Sequence, residues 1–314
     1  MKKMIYLCWV VGLFVMRSDA FIYQATVLRR WDAMQQRYQW FIGLGDYHNK
    51  KHPINEQHKQ QLFDLLAVAN PGSTKVLTED LSVPNIEGRF SCGKFYVNSR
   101  GGILGGLTEC CHDLGLEVEN LEYRYCRVCA LGPVLNDPYA DPFTHPSVAG
   151  ISVQEMCDEV YHTCDRIATF DDGPLLNAWY QERVNGVKQK VQRLGWQRYG
   201  FESVADMLVS QAKPQNRHEA VKKLLTFDSS LFDAELVHAV ANTPHERICA
   251  IAGGSHIERA SAMLERVGFQ KVMEEKPFYH KENDPQQCIG SEMRQGGYCL
   301  QPQPIELKAV STYF

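Results

Sequence analysis

The chain lacks an excess of positive charge: 33 Lys plus Arg stand against 37 Asp plus Glu, a formal net charge of −4 over 314 residues. That balance gives a phosphate backbone nothing to hold, so nucleic acid is set aside as a partner, and at the level of composition so is an anionic membrane. Long apolar runs are missing too. The run near the start, Met4 to Met16, has 13 residues, short of the roughly 20 that span a bilayer as a helix. With 14 Pro and 23 Gly, and neither a repeat nor a low-complexity tract, the sequence is not collagen-like or disordered. There is no G-x-S-x-G, which disfavours an ordinary serine hydrolase. Cys126-x-x-Cys129 has no second C-x-x-C after it, and His112 lies upstream at no finger spacing, so a disulfide half-pair is favoured there over zinc. What remains is a chain that is 44% hydrophobic, enough for a sizeable core.

The N-terminus has the form of an export signal. Lys2 and Lys3 precede the apolar run, and Ser18 and Ala20 occupy the −3 and −1 positions of a cleavage site after Ala20. Residues 1–20 are therefore expected to be a signal peptide, and the mature chain to be secreted or periplasmic, with no membrane span. Cleavage takes away Cys8 and leaves ten cysteines, at 92, 110, 111, 126, 129, 157, 164, 249, 288 and 299. An even number in an oxidising compartment predicts disulfides. Cys111, Cys157 and Cys164 also fall in step with apolar neighbours, as small core residues do.

Periodicity divides the mature chain. In 21–146, Trp40 to Gly45 reads as a buried strand, a helix opened by Pro53 carries Leu62, Leu65, Leu66 and Ala69, and Lys75 to Thr78 is the next strand. Strand, crossover and strand make a parallel βαβ unit, in which the second strand is expected beside the first. Leu116 to Tyr123 alternates like a third strand. Residues 147–242 then read as a helical insert. Ser152-x-x-Glu155 is a capping box before a helix with Cys157, Val160, Cys164 and Ile167 on one face; a second helix aligns Tyr180, Val184, Val187, Val191 and Leu194, and further helices fall at 203–211, 217–226 and 231–241. In 243–280 the α/β pattern returns, with a strand at Ile248 to Ala252, a helix stopped by Gly268 and a strand from Phe269 to Met273. Residues 281–314 have turn composition and are expected as an irregular tail. The predicted fold is α/β, a mostly parallel central sheet flanked by helices, with the insert capping the carboxyl edge of the strands.

Two strands end in one phrase: Gly45-Asp-Tyr-His48 and Gly253-Gly-Ser-His256. G-x-x-H at a strand-to-helix turn lies at the carboxyl edge of a parallel sheet, where open α/β folds bind ligands. Gly45, Gly253 and Gly254 are expected to let the backbone turn, and the histidines to face the crevice. Glu79-Asp80 ends the strand of the same βα unit, so His48, Glu79 and His256 are the candidate catalytic set. A neutral imidazole beside a carboxylate is a general base near neutral pH. Two histidines and a carboxylate are equally a ligand set for a divalent metal such as Mn, Co or Zn, which acidifies bound water. Asp80, Glu122 and Arg124 are candidate substrate contacts. Gly43-Leu-Gly45 also begins like a dinucleotide fingerprint, but His48 stands where the third glycine belongs.

The double G-x-x-H with the intervening glutamate resembles the erythromycin-esterase, ChaN and TraB/TIKI superfamily, over about 39–124 and 245–275. The resemblance implies a hydrolase of small-molecule esters or of peptides, with His48 and Glu79 at the first motif histidine and its acidic partner, and His256 at the second motif histidine. It implies, as an alternative, a non-catalytic haem- or metal-binding protein on the same fold, for which Tyr47 beside His48 offers a second iron ligand. A disulfide-rich interaction protein is the third alternative. Two departures bear on it: Asp46 stands where esterase-like members favour Glu, and no lipobox cysteine follows the signal.

Overall fold

The computed structural model describes residues 20–48, 55–79, 107–121, 152–194, 206, 229–276, 278–281, 293–295, 298–302 and 305–314. Its sheet starts from a long hairpin. Strand β1 (Ala20–Asp32) pairs antiparallel with β2 (Arg37–His48), from Asp32 opposite Arg37 to Ala20 opposite His48. Alternation along β2 sorts its side chains: Ile42 and Leu44 join one buried cluster and Phe41 the other. Helix α1 (Asn55–Ala67) leads to β3 (Thr74–Thr78), then α2 (Leu107–Asp113) and β4 (Glu117–Asn120). Helices α3 (Val153–Ile167), α4 (Pro174–Leu194) and α5 (Ser229–Asn242) precede β5 (Arg247–Gly253), α6 (Gly254–Arg266) and β6 (Gln270–Glu275). The strand order is β4-β3-β5-β2-β1-β6, in which β1 alone runs against the other five. The fold is therefore α/β with a mostly parallel central sheet.

This order corrects one expectation: β3 is not the neighbour of β2. Strand β5 lies between them, pairing Gly43 with Ala250 on one side and Leu77 with Ala250 on the other. Burial explains the choice. Ile248, Ala250 and Ala252 face one cluster, Cys249 and Ile251 the other, and all five are at most 1% exposed. A strand apolar on both faces belongs in the middle of a parallel sheet. It also places the second G-x-x-H turn at the centre of the edge.

Two helical layers cover the sheet. On one face α1 and α2 pack through Leu62, Leu65, Leu66, Leu107 and Cys111. On the other, α3 to α6 share a core with Leu28, Phe41 and Leu77, and α5 is buried on every side from Leu231 to Val237, Asp233 and Glu235 included. The insert helices described, α3 to α5, thus pack over this face; α5 reaches the site through Phe232 and Asp233, and α4 through Arg183. The helices expected at 203–211 and 217–226 lie outside the described residues, except that Asp206 is helical. Strand β1, beginning where cleavage was expected, was not anticipated. The segment expected to be an irregular tail carries β8 (Met293–Gln295), β9 (Tyr298–Pro302) and a 3-10 helix (Leu307–Tyr313); β8 and β9 form a second sheet with β7 (Phe278–Lys281).

The glycines act differently from expectation. Gly253 has φ −53 and ψ 135, a conformation open to any residue, so no tight turn demands it. Gly45 and Gly254 serve a close approach: a Cβ on Gly45 would lie 2.8 Å from the Gly254 Cα, and one on Gly254 would lie 2.0 Å from the Tyr23 hydroxyl. Gly43 leaves room for Ile257, whose Cγ2 is 2.6 Å from where its Cβ would be. The bare strip on β2 lets α6 sit directly on the sheet, which is not the phosphate-cradling role of a dinucleotide fingerprint.

Candidate functional site

Glu79 leaves β3 at the carboxyl edge with its amide still bonded to the Ile251 carbonyl, 3.2 Å. Its side chain turns toward β5, where Oε2 accepts the Gly253 amide at 2.8 Å. Gly253 is the N-cap of α6, so this carboxylate takes the N-cap amide as the acid of a capping box does, at the helix end that favours negative charge. His256 follows in the first turn of α6, 5% exposed, with its Nε2 at 4.0 Å from Glu79 Oε1.

The other ring nitrogen is held from α5. His256 Nδ1 lies 2.7 Å from Asp233 Oδ1, and the ring packs on Phe232 at 4.6 Å between centroids. Asp233 is fully buried, and its charge is matched by arginines: Arg259 reaches it with Nε at 2.5 Å and Nη2 at 3.1 Å, and Arg183 Nη1 with 3.6 Å. A carboxylate that accepts from guanidinium groups is ionised, so the short His256 contact is Nδ1–H donating to it. In the neutral ring Nε2 then carries the lone pair, and that nitrogen faces Glu79. Arg183 lies 4.2 Å over the Trp179 ring, and burial lowers its pKa from the ordinary arginine value, partly offset by Asp233.

Asp46, 4% exposed, pairs in register with Gly253 at the end of β2. Tyr23 reaches the start of α6 from a bulge in β1, where the register shifts between Ile22 and Gln24; bulges re-aim side chains in this way. Behind them His58 accepts the Ile22 amide at Nδ1, 3.2 Å, and donates from Nε2 to the Ile305 carbonyl, 3.0 Å. Burial lowers its pKa, and those two bonds define its neutral tautomer.

Of the candidates read from the sequence, Glu79 and His256 come together. His48 ends β2, two residues past Asp46, at the same edge; its side chain, and Tyr47's, lie outside the described residues, as do Asp80, Glu122 and Arg124 altogether. Among the described residues no group of three or more His, Cys, Asp and Glu is placed to hold a metal ion. His256 and Glu79 supply two donors, with His256 backed by a carboxylate as metal-ligating histidines commonly are.

The sequence reading missed Asp233, Arg259, Arg183 and Tyr23. One signal for Asp233 was available: Leu231-Phe-Asp-Ala-Glu-Leu-Val237 puts two acids inside an apolar helix. Buried acids need partners. Glu235 has its own in Arg166, with Nη1 at 2.9 Å from Oε2, which clamps α3 to α5. No family model, curated protein or solved structure matches the chain.

Proposed function

We propose that this chain is a hydrolase of esters or peptides in which His256 moves the proton, Asp233 orients it and Glu79 positions the attacking water. The observation that carries the reading is the gap between His256 Nε2 and Glu79 Oε1, 4.0 Å. An oxygen about 2.8 Å from each subtends roughly 90° there, so one water can bond to both at ordinary distances. Neutral His256 takes a proton from that water as it attacks the carbonyl. The imidazolium so formed is stabilised by Asp233 and then returns the proton to the leaving group. Arg259 and Arg183 set positive charge against Asp233. The resemblance to the erythromycin-esterase and TraB/TIKI superfamily supports the same assignment and adds His48. A divalent ion would be held by His256 Nε2, Glu79 and His48, and would supply Lewis acidity and a more acidic water.

Export belongs to the same proposal. The expected cleavage after Ala20 falls at the first residues of β1, which supports a mature chain that begins at Phe21. Disulfides in the exported chain belong to the same proposal, supported by the even number of cysteines that remains after cleavage. Intact mass under non-reducing conditions tests this: Met1 retained with all thiols free refutes it.

For the activity, the purified chain is assayed on aryl esters and a peptide panel, before and after dialysis against a chelator. The expected result is hydrolysis that falls by on the order of 10²–10⁴ in His256→Ala and in Glu79→Gln, both folded by circular dichroism. Loss on chelation with rescue by Mn²⁺, Co²⁺ or Zn²⁺ assigns the metal-assisted form, and indifference to chelator the metal-free form. Full activity in His256→Ala, or no turnover of any substrate class with or without metal, refutes the reading.

A further inference from the structure

The β1–β2 hairpin outruns the sheet that holds it. Pairing with β5 begins at Trp40 and pairing with β6 reaches Arg29, so among the described residues Arg30 to Gln39 have only each other as strand partners. Apolar side chains at this projection are left in solvent: Met34 is 96% exposed, Trp31 54% and Tyr38 41%. Trp31 and Tyr38 meet edge to face at 5.1 Å, and Asp32 Oδ1 accepts the amides of Met34 and Gln35 at 2.9 and 3.1 Å, which shapes the turn that presents Met34. Positive charge dominates within the hairpin segment itself, with Glu246 of the neighbouring segment 4.0 Å from Arg37. Arg29, Arg30 and Arg37 stand against Asp32, so residues 29–38 carry a net +2 in a chain of net −4.

We propose that this hairpin tip docks on a phospholipid surface that contains anionic lipid. Whole-chain composition hides the feature because the positive charge is local. Met34 at the apex is a flexible apolar side chain suited to the acyl boundary, while Trp31 and Tyr38 have the apolar body and polar handle that sit at headgroup level. The arginines form a collar at the depth of lipid phosphates and carboxylates. Arg29 lies over the Tyr38 ring at 4.8 Å, Arg30 over Phe269 at 4.7 Å, and Arg37 donates to the Pro244 carbonyl at 2.6 Å, so the collar is held in place. A second copy is a poorer occupant, since a two-fold pairing of tips sets like charges against each other. No described helix is long and apolar enough to cross a membrane, so the attachment is peripheral. From Tyr38 to Asp46 is eight residues of strand, about 26 Å. Docking at the tip therefore leaves the carboxyl edge facing solvent.

The test is flotation of the full chain with vesicles of phosphatidylcholine alone and of phosphatidylcholine with phosphatidylserine. Recovery is expected only with the anionic vesicles, weakening with salt, and falling about tenfold in Trp31→Ser/Met34→Ser. Leu175→Ser, which removes an exposed leucine of α4, is expected to bind as the parent does. Met34→Ser alone is the second variant should the double substitution not fold. Recovery of the tip variants equal to the parent's overturns the proposal, and so does no recovery with either vesicle. Tip-dependent self-association in sedimentation without lipid assigns the surface to a second copy and also overturns it. None of these outcomes depends on whether the carboxyl edge is catalytic.

Discussion

Two Asp–His pairs in this molecule have the same 2.7 Å contact at Nδ1 and very different settings. Asp233–His256 is buried, its carboxylate is met by two arginines, and the free ring nitrogen faces a second carboxylate. Asp172–His238 joins the α3–α4 connection to the end of α5. There Asp172 also accepts from the Tyr180 hydroxyl and from Asn242 Nδ2, both at 2.6 Å, and the imidazole lies flat on Phe170, centroids 3.6 Å apart. The second pair is a clasp: its acceptor capacity is used on three partners from two helices, and one face of its half-buried ring is stacked on Phe170. What distinguishes the proposed dyad from the clasp is the group that faces the other imidazole nitrogen, not the contact they share.

The largest expected effect breaks the comparison on activity. Asp233→Asn keeps the shape of the side chain but cannot favour the His256 tautomer with its lone pair on Nε2, and kcat/KM is expected to fall by on the order of 10³. Asp172→Asn is expected to leave kcat/KM within about threefold. Equal losses in the two variants would show that both pairs matter only through the fold.

A smaller effect sharpens it on stability. The hydrogen bonds from Asn242, Tyr180 and His238 outweigh burial and lower the Asp172 pKa below the ordinary carboxylate value. The unfolded chain therefore binds a proton at Asp172 more readily than the folded one. The stabilisation is fully present above about pH 4 and is lost as pH falls through the folded-state value. Asp172→Ala is expected to cost about 1–3 kcal/mol in denaturant unfolding at pH 7, because the buried Tyr180 hydroxyl loses its acceptor. The deficit is expected to shrink as pH is lowered through that range, and a deficit constant from pH 6 to pH 3 would argue against it.

Strands β2, β3 and β5, and helices α3, α4 and α6, were legible because each is an apolar run or stripe that its burial follows; Val184, Val187 and Val191 are buried as their spacing in α4 requires. Strands β4 and β6 fall where strands were expected, with burial that does not alternate. Strand β1 was not, although Phe21 to Leu28 is rich in aromatic and β-branched residues, because the bulge at Tyr23 breaks its alternation and the segment adjoins a signal-like run. The place of β5 between β2 and β3 was hidden as well, since a crossover fixes strand direction and handedness but not the neighbour. At the site, Glu79 and His256 were legible because strand ends at one edge of a parallel sheet converge by topology. Asp233 was hidden: its partner lies 23 residues away on another helix, and no local spacing encodes a contact between elements.

The meeting of Gly45 with Gly254 has a further meaning for tolerance. Side chains are compressible spacers, able to change rotamer and take up a few tenths of an ångström, whereas backbone against backbone is a hard stop. Because the first turn of α6 rests on β2 with no Cβ at either point, the Gly253 amide and the His256 ring are gauged from the main chain of the sheet itself. The seat of α6 on the sheet, and with it the Gly253 amide that Glu79 accepts, is thereby taken out of the hands of side-chain packing, while the ring of His256 still takes its orientation from α5.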